Sequence, residues 1–131
     1  MRCYLDSSAL AKLVVSEPES PSLREFLKKS TVRITSGISE TELGRVAARG
    51  DGRGVAASRR VLGVVLQIDV SREILAAAAR LLPVSLRSLD AIHLATALEL
   101  ATDIDYFITY DAKLGAAAEQ SGFTVVQPGN G

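Results

Sequence analysis

The 131-residue chain balances 15 basic against 15 acidic side chains and carries one cysteine and one histidine. That size suits one domain with an ordinary core, and the zero net charge excludes a globally basic nucleic-acid binder. A single cysteine excludes an internal disulfide, and one cysteine with one histidine excludes a Cys/His zinc cluster. No run approaches the roughly 18 apolar residues of a membrane span, and the first residues lack an apolar signal core, so the expectation is one soluble, cytoplasmic domain over residues 1–131 with no membrane contact.

In chain order, a β-rich run at 2–5 precedes a helix predicted for 7–15, ahead of Pro18, and another for 22–29. A strand at 33–35 leads into helical character over 38–49. Gly50-Asp-Gly-Arg-Gly54 then reads as a turn between helices. A strand at 67–70 is followed by an alanine-rich helix at 74–82, ended ahead of Pro83. Over 88–101, Ala91, Leu94, Ala95, Leu98 and Ala101 recur at helical spacing with Ser88 as N-cap, which predicts a helix whose apolar stripe faces a sheet. A strand at 106–109, a helix at 112–121 stopped by Gly122 and a strand at 123–126 complete the chain. Strands alternating with helices imply an α/β fold: a mostly parallel sheet of about five strands in a three-layer α/β/α arrangement.

In open α/β sheets ligands bind beyond the carboxyl ends of the strands. Asp6 directly follows the first strand, Asp111 comes two residues after the fourth, Asp90 falls in the first turn of the 88–101 helix, and Glu42 lies on the helix after the second strand. Each has a plain alternative. Asp6 and Asp111 can cap the helices behind them, and Asp90 can complement a helix dipole. Glu42 can close the capping box Ser39-Glu-Thr-Glu42, unless Ser36 is the cap and Glu42 sits more than a turn inside the helix. Four clustered carboxylates repel one another unless a cation joins them. An oxygen-only donor set suits Mg²⁺ or Mn²⁺, and such sites suit phosphodiester hydrolysis. Between Arg45 and Arg87 eight arginines face three acidic residues, either solvated helix faces or a phosphate-binding surface.

Tyr4-Leu-Asp-Ser-Ser8, Thr41-Glu-Leu43, Leu89-Asp-Ala-Ile-His-Leu-Ala-Thr-Ala97 and Ile108-Thr-Tyr-Asp111 resemble, in order, the motifs of PIN-domain nucleases, with VapC-type toxins the nearest likeness. The resemblance implies a single PIN-like nuclease domain that hydrolyses RNA phosphodiesters with metal-activated water, acting as the toxin of a VapBC-type pair. By that likeness Asp6 and Asp90 hold Mg²⁺ or Mn²⁺, Glu42 and Asp111 bind it directly or through water, and Ser7 is a possible auxiliary that orders a metal-bound water. Asp103 and Asp105 are nearby decoys for Asp111. His93, one turn from Asp90, reads as structural rather than as a general base, and Arg87 either steadies Asp90, touches RNA or has no special role.

The resemblance also implies a VapB-type antitoxin partner and a homodimer. The antitoxin is expected to cover the carboxylates with an arginine or lysine. Segments 9–29 and 38–49 supply Leu10, Leu13, Val14, Leu23, Phe26, Leu27, Leu43 and Val46, some expected to form a groove for an amphipathic partner helix and the rest to join the core. Two other readings compete. A phosphoaspartyl enzyme of the haloacid-dehalogenase type would show D-x-D after the first strand, whereas Ser7 and Ser8 follow Asp6. A catalytically idle PIN-like module that binds RNA or protein could afford to lose acidic residues, and all four motif positions are acidic here.

Overall fold

The computed structural model describes residues 1–50 and 52–130. Five strands, β1 (Arg2–Leu5), β2 (Val32–Ser36), β3 (Leu66–Ile68), β4 (Tyr106–Ile108) and β5 (Val125–Val126), form one sheet in the order β3-β2-β1-β4-β5. Every pairing is parallel. The helices are α1 (Ser7–Val14), α2 (Ser20–Leu27), α3 (Ile38–Ala48), α4 (Arg53–Leu62), α5 (Arg72–Ala79), α6 (Ser88–Glu99) and α7 (Ala112–Gln120).

A parallel sheet covered on both faces needs apolar side chains on both, and β1 supplies them by strand alternation. Cys3 and Leu5 join Ile108 under Leu10, Leu23, Leu27 and Leu43 of α1, α2 and α3. Tyr4 joins Ile34 and Phe107 on the other face, under Leu94 and Ala97 of α6 and Leu114 and Ala118 of α7. The expected three-layer α/β/α architecture is therefore present.

Several boundaries move for local reasons. The edge strands stop where their partners do: β3 pairs only from Ile34↔Leu66 to Ser36↔Ile68, and β5 only through Phe107↔Val125 and Ile108↔Val126. Helix α5 starts before residue 74 because the Ser71 side chain accepts the Ile74 N–H at 3.1 Å, and it ends at Ala79. Pro21 in the first turn of α2 lets that helix begin at Ser20. Ser88 is not the cap of α6: Arg87 holds that position in extended backbone, with no side-chain cap. Nor does α6 bury a single stripe, because His93 through Ala97 are all buried beneath both the sheet and α5. The turn expected at 50–54 is shorter than that, because α4 already begins at Arg53, and Asp51 lies outside the described residues. Gly52, at φ 92°, occupies left-handed backbone that glycine tolerates best.

Of the eight side chains expected to divide between core and groove, Leu10, Leu23, Leu27 and Leu43 are fully buried. Leu13, Val14 and Phe26 are partly buried against the same cluster, and Val46 lines the cleft described next.

Candidate active site

The chain runs outward from β1 to β2 and β3, then returns to the other side of β1 for β4 and β5. The order reverses between β1 and β4, and a crevice opens at the carboxyl ends of strands at such a point. A cleft of about 520 Å³ is lined there by Asp6, Glu42, Asp90 and Asp111, with Ser7, Ser8, Arg45, Arg49 and Arg87 among its other walls. The four carboxylates come from four separate parts of the chain: the end of β1, helix α3, the first turn of α6 and the turn after β4.

Asp6 is the most constrained. It is 2% exposed and caps α1, its Oδ1 accepting the Ala9 N–H at 3.0 Å. Ser8 Oγ donates to Oδ1 at 2.7 Å, and Thr109 Oγ1 donates to Oδ2 at 2.7 Å. Burial raises its pKa, while His93 when charged, and after it the hydrogen bonds from Thr109 and Ser8, pull the other way. A cap contributes about 1 kcal/mol, whereas removing an ionised group from water costs several. Capping alone is therefore a poor reason to bury this carboxylate.

Asp111 caps α7, accepting the Leu114 N–H at 2.9 Å, and its own N–H donates to Thr109 Oγ1 at 3.1 Å. Thr109 thus joins two of the carboxylate positions through one hydroxyl. Asp90 differs from both, since it accepts no hydrogen bond among the described residues. Partial burial raises its pKa, and the negative charges of Asp111, Asp6 and Glu42 raise it further.

Glu42 does not close a capping box. Gly37 occupies the N-cap position of α3, and Ser39 is buried with its Oγ 2.6 Å from Thr35 Oγ1. Ser36 Oγ accepts the Ile38 N–H at 3.2 Å. Glu42 is accordingly more than a turn inside the helix, and its Oε1 lies 2.8 Å from His93 Nε2. The decoys lie at the opposite end of the strands, where Asp105 accepts the Arg2 backbone N–H and Asp103 pairs with the Arg2 guanidinium.

Ser7 lines the cleft, but Ser8 is the serine bonded to Asp6. Ser8 and Thr109 were not singled out from sequence as holders of Asp6. Both stand inside the quoted motifs, yet no local pattern tells which of two adjacent serines turns inward. Among the described residues no three His, Cys, Asp or Glu side chains converge as a ready-made metal cage. The donor set still fits a hard divalent cation. It is all oxygen, it leaves excess negative charge at Asp90, and Mg²⁺ commonly takes only one or two carboxylates, completing its shell with water.

Fold and site define a doubly wound α/β protein with an acidic cleft at the carboxyl edge of its sheet. The chain belongs to the PIN-domain family, whose model matches residues 3–120. It is 41% identical over 125 residues to Ribonuclease VapC46 of Mycobacterium tuberculosis, covering 95% of this chain and 96% of the relative. It is 37% identical over 131 residues to Ribonuclease VapC47 of the same species, covering 96% of each. Among solved structures, VapBC2 from Rickettsia felis, bound to a DNA fragment from its promoter, superposes with a TM-score of 0.73 at 14% identity. That match covers 98% of this chain and 99% of the other and concerns the fold. Dependence on a divalent cation is general among PIN-domain VapC ribonucleases.

Proposed function

We propose that this chain is an endoribonuclease, the toxin of a VapBC-type pair, and that Asp6, Glu42, Asp90 and Asp111 form its catalytic site. The observation that carries the reading is that four acidic side chains, from four separate parts of the chain, line one cleft at the switch point of the sheet. The family and the names of its relatives supply the reaction class.

In this reading Asp6 and Asp90 hold Mg²⁺ or Mn²⁺, with Glu42 and Asp111 acting directly or through water. A divalent cation bound there acidifies water and offsets the charge of a phosphodiester. The protein's own contribution is to orient and to exclude. Ser8 and Thr109 fix both oxygens of Asp6, and Thr109 also fixes the backbone of Asp111. Arg45 on α3, Arg49 at the C-cap of that helix, and Arg87, at the start of α6, line the same cleft and form no ion pair among the described residues. They are suited to hold RNA phosphates on either side of the scissile bond.

The whole of 1–131 is read as one nuclease domain that works in the cytoplasm. No helix among the described residues is long and apolar enough to cross a membrane. A VapB-type antitoxin is the expected partner, supported by the toxin–antitoxin assembly among the structural neighbours, and a homodimer is expected as well. The test is cleavage of RNA by the purified chain. Activity should appear with Mn²⁺, vanish with chelator, return on re-addition and fall more than about a hundredfold in Asp90→Asn. Cleavage at an unchanged rate by a folded Asp90→Asn protein would remove Asp90 from the site, and no cleavage by the wild type under any metal would favour an idle binding module.

A further inference from the structure

Helix α6 buries two polar side chains that the proposed chemistry does not use, Thr96, bonded to the Ile92 carbonyl of its own helix, and His93. His93 is 0% exposed and joins two partners far away in sequence. Its Nδ1 lies 2.8 Å from Tyr4 Oη, and its Nε2 lies 2.8 Å from Glu42 Oε1. The Tyr4 ring is itself pinned, stacked on Phe107 with centroids 5.1 Å apart and edge-on to the imidazole at 5.9 Å.

With the imidazole neutral, the donors and acceptors along this line have one direction. A carboxylate only accepts, so Nε2 carries the proton toward Glu42. A neutral imidazole with Nε2–H has an accepting Nδ1, so the Tyr4 hydroxyl donates to it. Burial holds the Tyr4 phenol well above its ordinary pKa, with the charge of Asp6 adding to the effect, so it stays a donor. The line therefore runs from Tyr4 O–H to His93, and from His93 N–H to Glu42, from the sheet core to the rim of the cleft.

We propose that His93 is a positioning residue, which Tyr4 fixes as the Nε2–H tautomer so that it holds Oε1 of Glu42 and sets the direction in which this carboxylate enters the acidic cleft. The inference rests on Glu42 belonging to the site. Glu42 needs such a hold because, among the described residues, His93 is the side chain that bonds it, and the nearby Ser39 hydroxyl is committed to Thr35. A flexible glutamate at a helix surface would otherwise spend conformational freedom each time it engaged a ligand. Partners that hydrogen-bond a metal-binding carboxylate typically change metal affinity or activity by about 10- to 100-fold when removed.

Two measurements test it. In ¹⁵N NMR of the metal-free wild-type protein, the His93 ring should show a protonated Nε2 and an unprotonated Nδ1; the opposite tautomer overturns the proposal without any variant having to fold. The second compares Mn²⁺ half-saturation, read by calorimetry, with RNA cleavage in His93→Gln and His93→Asn. The longer Gln amide reaches the Nε2 position and should keep most of both, whereas Asn stops near Nδ1 and should weaken both by about tenfold or more. In a Glu42→Gln background His93→Asn should add nothing, because its effect passes through the carboxylate.

Equal Mn²⁺ half-saturation and cleavage in Asn, Gln and wild-type proteins, with only thermal stability changed, would make His93 a packing residue and overturn the proposal while leaving the site intact. If Glu42→Gln alone leaves metal binding and cleavage unchanged, the place of Glu42 in the site fails, and the role of His93 falls with it.

Discussion

Asp6 and Asp90 line the same cleft, yet the protein treats them in opposite ways. Asp6 is buried and answered by three donors, Ser8, Thr109 and the Ala9 amide. Asp90 is partly exposed, accepts no hydrogen bond among the described residues and sits in the field of three other carboxylates. One side of the cleft is organised by the protein alone, while the other holds a charge that no hydrogen bond among the described residues answers. The contrast separates two jobs within one acidic site: a fixed anchor, and a position whose negative charge a cation can relieve.

The contrast can be broken by two substitutions with opposite expected signs. Thr109→Val keeps the shape but leaves buried Oδ2 of Asp6 without its hydroxyl, and should cost about 1–3 kcal/mol in urea unfolding of the metal-free protein. Asp90→Asn removes a repelled charge and should raise metal-free stability by a smaller amount, while cleavage should be lost. A loss of stability in Asp90→Asn would mean that Asp90 makes a structural contact of its own.

The pH dependence sharpens the same point with a smaller effect. The folded-state pKa of Asp90 is raised above its ordinary value of 3.8, so the folded chain binds that proton more tightly than the unfolded chain does. The penalty is absent below 3.8 and grows as pH rises through the folded pKa. The stability advantage of Asp90→Asn over wild type should therefore be greatest near neutrality and disappear on acidification toward 3.8. An advantage independent of pH would point to a packing change instead.

The two sides of the site were unequally legible in the sequence. Asp6 directly follows a strand and Asp111 comes within a few residues of one, so the rule about strand ends locates them, and the alternation of strands and helices was enough to expect a parallel, doubly covered sheet. Glu42 was ambiguous, because Ser39-Glu-Thr-Glu42 satisfies a capping-box pattern that a local reading cannot refute. The competing bond, Ser39 to Thr35, depends on how β2 enters α3. The hold on Asp6 by Thr109 spans 103 residues, and the bridge from Tyr4 through His93 to Glu42 joins three elements. No periodicity or spacing encodes contacts of that range. Helix α6 was misjudged as one-sided for a similar reason: its burial beneath both α5 and the sheet is a tertiary fact, and its run of small and apolar residues fits either picture.

The claim that these carboxylates form a cation site is tested most directly by calorimetric titration of Mn²⁺ into the metal-free protein, wild type beside Asp90→Asn. The account predicts saturable binding to the wild type, a Tm that rises with Mn²⁺ concentration, and a loss of both in the variant. Equal Mn²⁺ binding by the two proteins, or none by the folded wild type at millimolar concentration, would contradict it.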